Sequence, residues 1–388
     1  MKSLFSALVA VASVVLVSGC TPASRSFYAE GSDPLDGIIV PSNWRLISDY
    51  ERYDKARGSA VTMKVRMPSV DECVENITNH AKIDQNGNWI GESSCFERLI
   101  TYQGNPAANK LLSETLLELV KRDEIKHSRE KDVHYTYFES VMFLTLLYAA
   151  EKPRLELTVA QAEKIEDWLL KRVSVRLVSP DPANRPPCTA MTRKMYTDDC
   201  NSTRQRFTMM NLVAGLVAGH QETFDRGIKS LKYVHRFIDE DGVYKGMAVR
   251  GGLAAHYHVD MSDYYSVYAE ILATLGIDYF DYIAPSGASI GDSMAFTFSI
   301  VEEGNTEPLM KYAKMNKGNK GFDASILKNG PYRTGDANRY KERSARFFAE
   351  KRNEKVERRS LLQISETPWD TRAIFIANDP LIYENAQM

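Results

Sequence analysis

The sequence has no Walker-type phosphate loop, no Rossmann glycine fingerprint and no Gly-x-Ser-x-Gly elbow, so the usual signatures of nucleotide binding and serine hydrolysis are missing. Charge of one sign is missing too. Lys+Arg number 49 against 51 Asp+Glu in 388 residues, a formal net charge of -2. Wholesale attraction to nucleic acid or to anionic lipid is therefore not expected, and affinity for a polyanion must come from locally focused cations. Period-2 alternation is scarce after residue 100, which argues against a sheet-based body. No repeat period is found, which disfavours the alternative of a solenoid of helical repeats. Beyond the N-terminal leader no apolar run approaches membrane-spanning length.

Cysteine is sparse, at five residues. The first, Cys20, follows a short basic start at Lys2, an apolar segment from Leu4 to Val17, and the small residues Ser18 and Gly19. This arrangement reads as a bacterial lipoprotein leader, with lipid on Cys20 tethering the mature chain to a membrane. Thr21 stands where an acidic residue would favour inner-membrane retention, so the expected location is the periplasm, on the inner face of the outer membrane. The expected organisation is a signal peptide over 1–19, an extended tether over 20–45 and a single domain over 46–388. Cys73, Cys95, Cys188 and Cys200 then sit in an oxidising compartment. Four cysteines allow three pairings; Cys73 with Cys95 and Cys188 with Cys200 each close a short polar loop, and the alternative is four buried thiols.

From about Asn105 onward the pattern is helical, and the helices are of two kinds. Asn105-Pro106 caps a helix with Leu112, Leu116, Leu119 and Val120 on one stripe. Thr158 and Gln161 form a capping box ahead of Ala162, Ile165, Leu169 and Val173. Residues 224–238 are again one-sided, through Phe224, Ile228, Leu231, Val234 and Ile238. By contrast, residues 133–150 and 207–219 are apolar nearly all round, which requires burial on every side. Such alternation predicts an inner and an outer ring. The expected fold is all-α, an (α/α) toroid or incomplete barrel of helical hairpins. Residues 176–203, with two cysteines, read as a long ordered loop of the kind that tends to serve function. The tail from Gly318 carries weaker helical signals and ends in an irregular apolar segment.

Arg250-Gly-Gly-Leu-Ala-Ala-His-Tyr257-His258 sets a fixed cation, a phenol and an imidazole just ahead of a helix with the stripe Tyr264, Val267, Tyr268, Ile271, Leu272 and Leu275. A guanidinium can hold a carboxylate, and a phenol or imidazole can move a proton. On one continuous helix Arg250 and Tyr257 would lie roughly 10 Å apart along the axis on the same face, which leaves room for a sugar ring. His256 and His258 are two apart and do not share a helix face, so no metal site is expected there, and no cofactor is expected.

These residues resemble the alginate lyase family, the poly(mannuronate) lyases with an (α/α) toroid fold. The resemblance rests on Phe224-Asp225, Asp241-Gly242, Arg250 and Leu253 to His258, together with an N-terminal block, Ser48-Asp-Tyr50-Glu-Arg-Tyr-Asp54-Lys55-Ala-Arg57. The family's Asn-Asn-His falls here on Asn201-Ser202-Thr203, and the lysine of the N-terminal block falls on Asp49. The resemblance implies β-elimination on a polyuronide. Arg250 would stabilise the enediolate, Tyr257 would serve as acid and base, and Asn201 would assist, with Arg204 and Arg206 as substitutes for the missing histidine in neutralising the uronate carboxylate. His256 or His258 could supply a base. Tyr50, Lys55 and Arg57 would bind sugar by stacking and carboxylate pairing, and His134, Tyr135 and Tyr137 would open the first fully apolar helix towards the cleft. The expected partners are an acidic polysaccharide and, through Cys20, a membrane; the expected state is a monomer that binds no nucleic acid. Against the lyase stands a degenerate relative that grips such a polymer during export or assembly without cutting it, and beyond that an envelope scaffold.

Overall fold

A computed structural model of the chain describes residues 33–42, 44, 64–81, 94–126, 133–175, 202–248 and 254–313. The leader with Cys20, the sugar-binding candidates Tyr50, Lys55 and Arg57, the pair Cys188 and Cys200, and Asn201, Arg250 and the C-terminal tail lie outside these residues. The described residues fall into two units, 33–38 and those from 39 on. In the first, the Asp36 N–H donates to the Asp33 carbonyl (2.9 Å) and the Leu35 N–H to Asp33 Oδ1 (2.9 Å), which closes a turn within the expected tether.

In the second unit the described residues form eleven α-helices and no strand, with isolated bridges at Ile238–Tyr244 and Ile283–Ser289. The helices are α1 (Val70–His80), α2 (Ser94–Thr101), α3 (Pro106–Arg122), α4 (Val133–Glu151), α5 (Val159–Val173), α6 (Ser202–Val217), α7 (Gln221–His235), α8 (Lys245–Ala248), α9 (Ala254–Ala273), α10 (Ile290–Glu303) and α11 (Glu307–Ala313). The fold is all-α, of the (α/α) toroid type, as the two classes of helix imply. Every described side chain of α4, and every described one of α6 from Arg204 on, is buried. The stripes of α3, α5 and α7 are buried apart from half-buried Val120 and Ala162, while their opposite faces stay open. α4 packs on α6, α6 on α7 and α9, and α5 lies against α4 and α6.

Local chemistry sets these boundaries. Asn105 Oδ1 accepts the Ala107 N–H (2.9 Å) ahead of Pro106, so the helix start satisfies an otherwise orphaned donor. Thr158 and Gln161 form the reciprocal capping box. At the end of α3, Asp123 turns left-handed (φ 52°) and its carboxylate accepts from Trp168 Nε1 (2.9 Å), from Arg172 and from Lys171 (3.3 Å), tying α3 to α5. Lys152, in a single 3-10 turn after α4, donates to the last-turn carbonyl of Val217 (3.0 Å) and pairs with Glu166 (2.6 Å). The α6–α7 hairpin is close because Gly215 is bare: a Cβ there would sit 2.4 Å from the Phe224 nitrogen.

Three boundaries differ from the sequence reading. Helices α1 and α2 precede Asn105, the first capped by the Ser69 hydroxyl on the Glu72 N–H (3.2 Å); their short apolar sets become helical faces only by packing against α3 and α4. The end of the expected 176–203 loop is already helix, since α6 starts at Ser202, five residues before the apolar run. The 39–44 stretch is fastened to the body, with Val40 N–H donating to Gln221 Oε1 (2.9 Å) and Trp44 Nε1 to Thr274 Oγ1 (2.8 Å).

Cys73 and Cys95 are disulfide-bonded across a sequence separation of 22, both fully buried, joining α1 to α2. A crosslink closing a loop of this length contributes about 3 kcal/mol by limiting the unfolded chain. The double variant Cys73→Ser/Cys95→Ser is expected to melt several degrees below the parent in oxidising buffer, measured by calorimetry, with the gap closing when both are reduced.

Candidate active site at the start of helix α9

α9 positions the phenol. Tyr257, Met261, Tyr264, Tyr268 and Ile271 fall on one face at the helical spacing. Met261, Tyr268 and Ile271 are fully buried and Tyr264 is 8% exposed, whereas Tyr257 at the N-terminal end is half-buried. The stripe thus runs out of the core at Tyr257. Its lower part packs on α6: the Tyr268 hydroxyl donates to the Gln205 carbonyl (2.9 Å) and to Gln205 Oε1 (2.7 Å), and Arg206 lies over the Tyr264 ring (6.0 Å). The first described residue of α9 is Ala254, so the interval from Arg250 to Tyr257 includes residues outside those described.

Arg204 and Arg206, expected to neutralise a uronate carboxylate, are drawn into helix packing at 7% and 6% exposure. Arg206 Nη2 donates to Glu139 Oε1 on α4 at 2.8 Å, a buried pair. Arg204 stacks on Tyr233 (4.7 Å from the ring centre) and donates to the Ser230 hydroxyl (3.4 Å), against α7. A guanidinium paired with a buried carboxylate loses that pair if it turns to a sugar, and breaking a buried pair is costly. Tyr137 is also interior, its hydroxyl donating to the Arg172 carbonyl (2.8 Å), and burial raises its pKa. His134, Tyr135 and His256 lie on described helices, but their side chains lie outside the described set.

His258, expected at the sugar, has no exposed surface. The Tyr244 N–H donates to its Nε2 (2.9 Å), so that nitrogen carries no proton, and Nδ1–H donates to Thr297 Oγ1 on α10 (2.9 Å). Ser262, one turn on, meets the same Thr297 oxygen (2.5 Å), and Thr297 passes its own proton to the Ser293 carbonyl (2.9 Å). Phe296 meets the imidazole edge-on (5.0 Å, 89°). Burial holds the imidazole pKa down, from 6.5 to about 3, so the ring is a neutral crosslink and not a proton shuttle near neutrality.

The turn that feeds Tyr244 is equally built. Asp239 Oδ1 accepts the N–H groups of Asp241 (3.0 Å) and Val243 (2.9 Å), and its Oδ2 accepts the Tyr312 hydroxyl from α11. Gly242 (φ 78°) closes the turn so near α10 that a Cβ would lie 2.9 Å from the Asp292 carbonyl. Sequence reasoning missed Asp239, Ser262, Thr297 and Tyr312. The one signal available was a His and a Ser four apart on an apolar helix face, which need hydrogen-bond partners once buried.

The folded pKa of His258 lies below its ordinary value, so between about pH 6.5 and 3 the unfolded chain takes up a proton that the folded chain refuses. The stability involved is complete above that window and lost as pH falls through it, on the order of 4–5 kcal/mol at the limit. Urea denaturation at a series of pH values should show this acid loss in the parent and a flatter profile in His258→Gln.

Comparison with curated proteins finds no match. Among solved structures, alginate lyase A1-III from Sphingomonas species A1 is similar, with 16% identity and a TM-score of 0.58 over 89% of this chain and 99% of that one. A tyrosine-to-phenylalanine form of alginate lyase A1-III complexed with tetrasaccharide gives 16% identity and 0.59 over 90% and 99%. A histidine-to-alanine form, also with tetrasaccharide, gives 18% and 0.53 over 79% and 83%. At these identities the likeness establishes the fold. The alginate lyase family model matches residues 144–307, from the middle of α4 to the first residue of α11, and over this stretch the chain is similar to the alginate lyase family.

Proposed function

We propose that the chain is a lipid-anchored periplasmic polysaccharide lyase that cleaves a uronate-containing polymer by β-elimination. The observation that carries this reading is Tyr257: it ends a buried stripe at half-exposure, in the family's Arg-to-Tyr-His register. In the proposed reaction Tyr257, as phenolate, removes the C5 proton of the uronate. Electrons move into the carboxylate as an enediolate, the C4–O4 bond breaks as C4=C5 forms, and Tyr257 returns the proton to the departing oxygen. A single group can do both because proton and leaving group sit on one face. Arg250, whose charge is permanent, stabilises the enediolate where charge develops. The tetrasaccharide bound by the A1-III structures supports an acidic oligosaccharide as the ligand class.

The buried Arg206–Glu139 pair, with Thr203 where the family has histidine, favours a second reading, a polymer-binding relative that does not cut. Mixing the purified chain with a panel of polyuronides and following the ultraviolet absorbance of the unsaturated product separates the two. Growth is expected, falling 10²–10⁴-fold in Tyr257→Phe; binding without growth across the panel would establish the second reading. The anchor is tested separately. Bacteria fed an alkyne fatty acid should label the parent and not Cys20→Ser, and the label should sediment with outer membrane; unlabelled parent rules out the lipoprotein.

A further inference from the structure

We infer that His258 is a positioning residue for Tyr257, clamping the first turns of α9 to Tyr244 on one side and to α10 on the other so that the phenol is held at a fixed angle and height. This rests, for its kinetic consequence, on the lyase reading. Apolar packing alone would let α9 rotate or slide by small amounts, because dispersion contacts are non-directional. The imidazole removes both freedoms. It accepts from the backbone of Tyr244 (2.9 Å), on the turn that Asp239 and Tyr312 build, and donates to Thr297 (2.9 Å), on α10. Neither partner belongs to α9. The accepting and donating nitrogens lie on different edges of one rigid ring, so no single rotation of α9 preserves both bonds.

The placement favours positioning over simple filling. Tyr257 is the adjacent residue, about 100° round the helix, so any turn of the backbone that breaks the His258 bonds swings the phenol by the same angle. A shift of about 1 Å in a reacting group costs on the order of 10²-fold in rate. Thr297, fixed in turn by its bond to the Ser293 carbonyl and met by the Ser262 hydroxyl, can hold the donated proton in one direction only. The polar atoms of the crosslink are thus all matched, which a site meant only to fill volume would not need.

The test uses the full-length chain, with tyrosines labelled by 13C at Cζ, in the parent, His258→Gln and Thr297→Val. The Tyr257 resonance is identified by its loss in Tyr257→Phe. In both variants, folded by circular dichroism, this resonance should shift or split. With an active parent, kcat should fall 10–100-fold in His258→Gln and less in Thr297→Val, while KM stays within twofold. An unmoved Tyr257 resonance in both variants overturns the inference, as does a moved resonance with kcat per folded molecule unchanged. A parent without product on any polyuronide sinks the lyase reading alone, and the resonance still decides the positioning. Should His258→Gln fail to fold, Thr297→Val carries both measurements.

Discussion

A helix buried on every side has no solvent to satisfy its polar side chains, and this constraint governs the central helices of the fold. α4, α6 and α9 carry Glu139, Arg206, Gln205 and His258 into the interior. Each meets a partner supplied by another element: Glu139 and Arg206 meet one another, Gln205 meets Tyr268, and His258 meets Tyr244 and Thr297. Burying such groups without partners would cost several kcal/mol apiece. The inner helices are therefore locked in register by polar bonds as well as by packing. The outer helices keep most of their polar residues on open faces and use the device sparingly, as where Arg172 of α5 is buried against Asp123.

That division explains which parts were legible. Caps are local: Asn105, Thr158 and Gln161 announce helix starts within three residues, and the stripes of α3, α5 and α7 follow from spacing alone. The all-round apolar character of α4 and α6 is also local, and it was enough to imply two rings. The start of α6 was not, because Ser202-Thr203-Arg204-Gln205-Arg206 is as polar as a surface loop. Its burial depends on Glu139, 67 residues upstream, on Tyr268, 63 downstream, and on Ser230 and Tyr233 of α7. No window of neighbouring residues contains those partners.

The candidate site divides the same way. Tyr257 stands out by motif and by its place at the head of an aromatic stripe, and the structure leaves it half-buried. His258 looked like a second candidate for the same chemistry because an imidazole reads as a proton carrier wherever it occurs. Its partners decide otherwise, and they lie 14 residues before it and 39 after it. The two members of the Tyr-His pair take different environments because successive helical residues point about 100° apart: Tyr257 is half-buried and His258 has no exposed surface.

The same geometry bears on the absent histidine of the family's Asn-Asn-His. Thr203 and the arginines after it start a helix that the core holds at both of its flanks, by Glu139 on α4 and by Ser230 and Tyr233 on α7. Freeing Arg206 for a substrate carboxylate would break its buried 2.8 Å pair with Glu139, which has 4% exposure. Recruiting Arg204 would break its stack on Tyr233. Under the proposed lyase reading, neutralising a uronate carboxylate would therefore fall to groups other than Arg204 and Arg206.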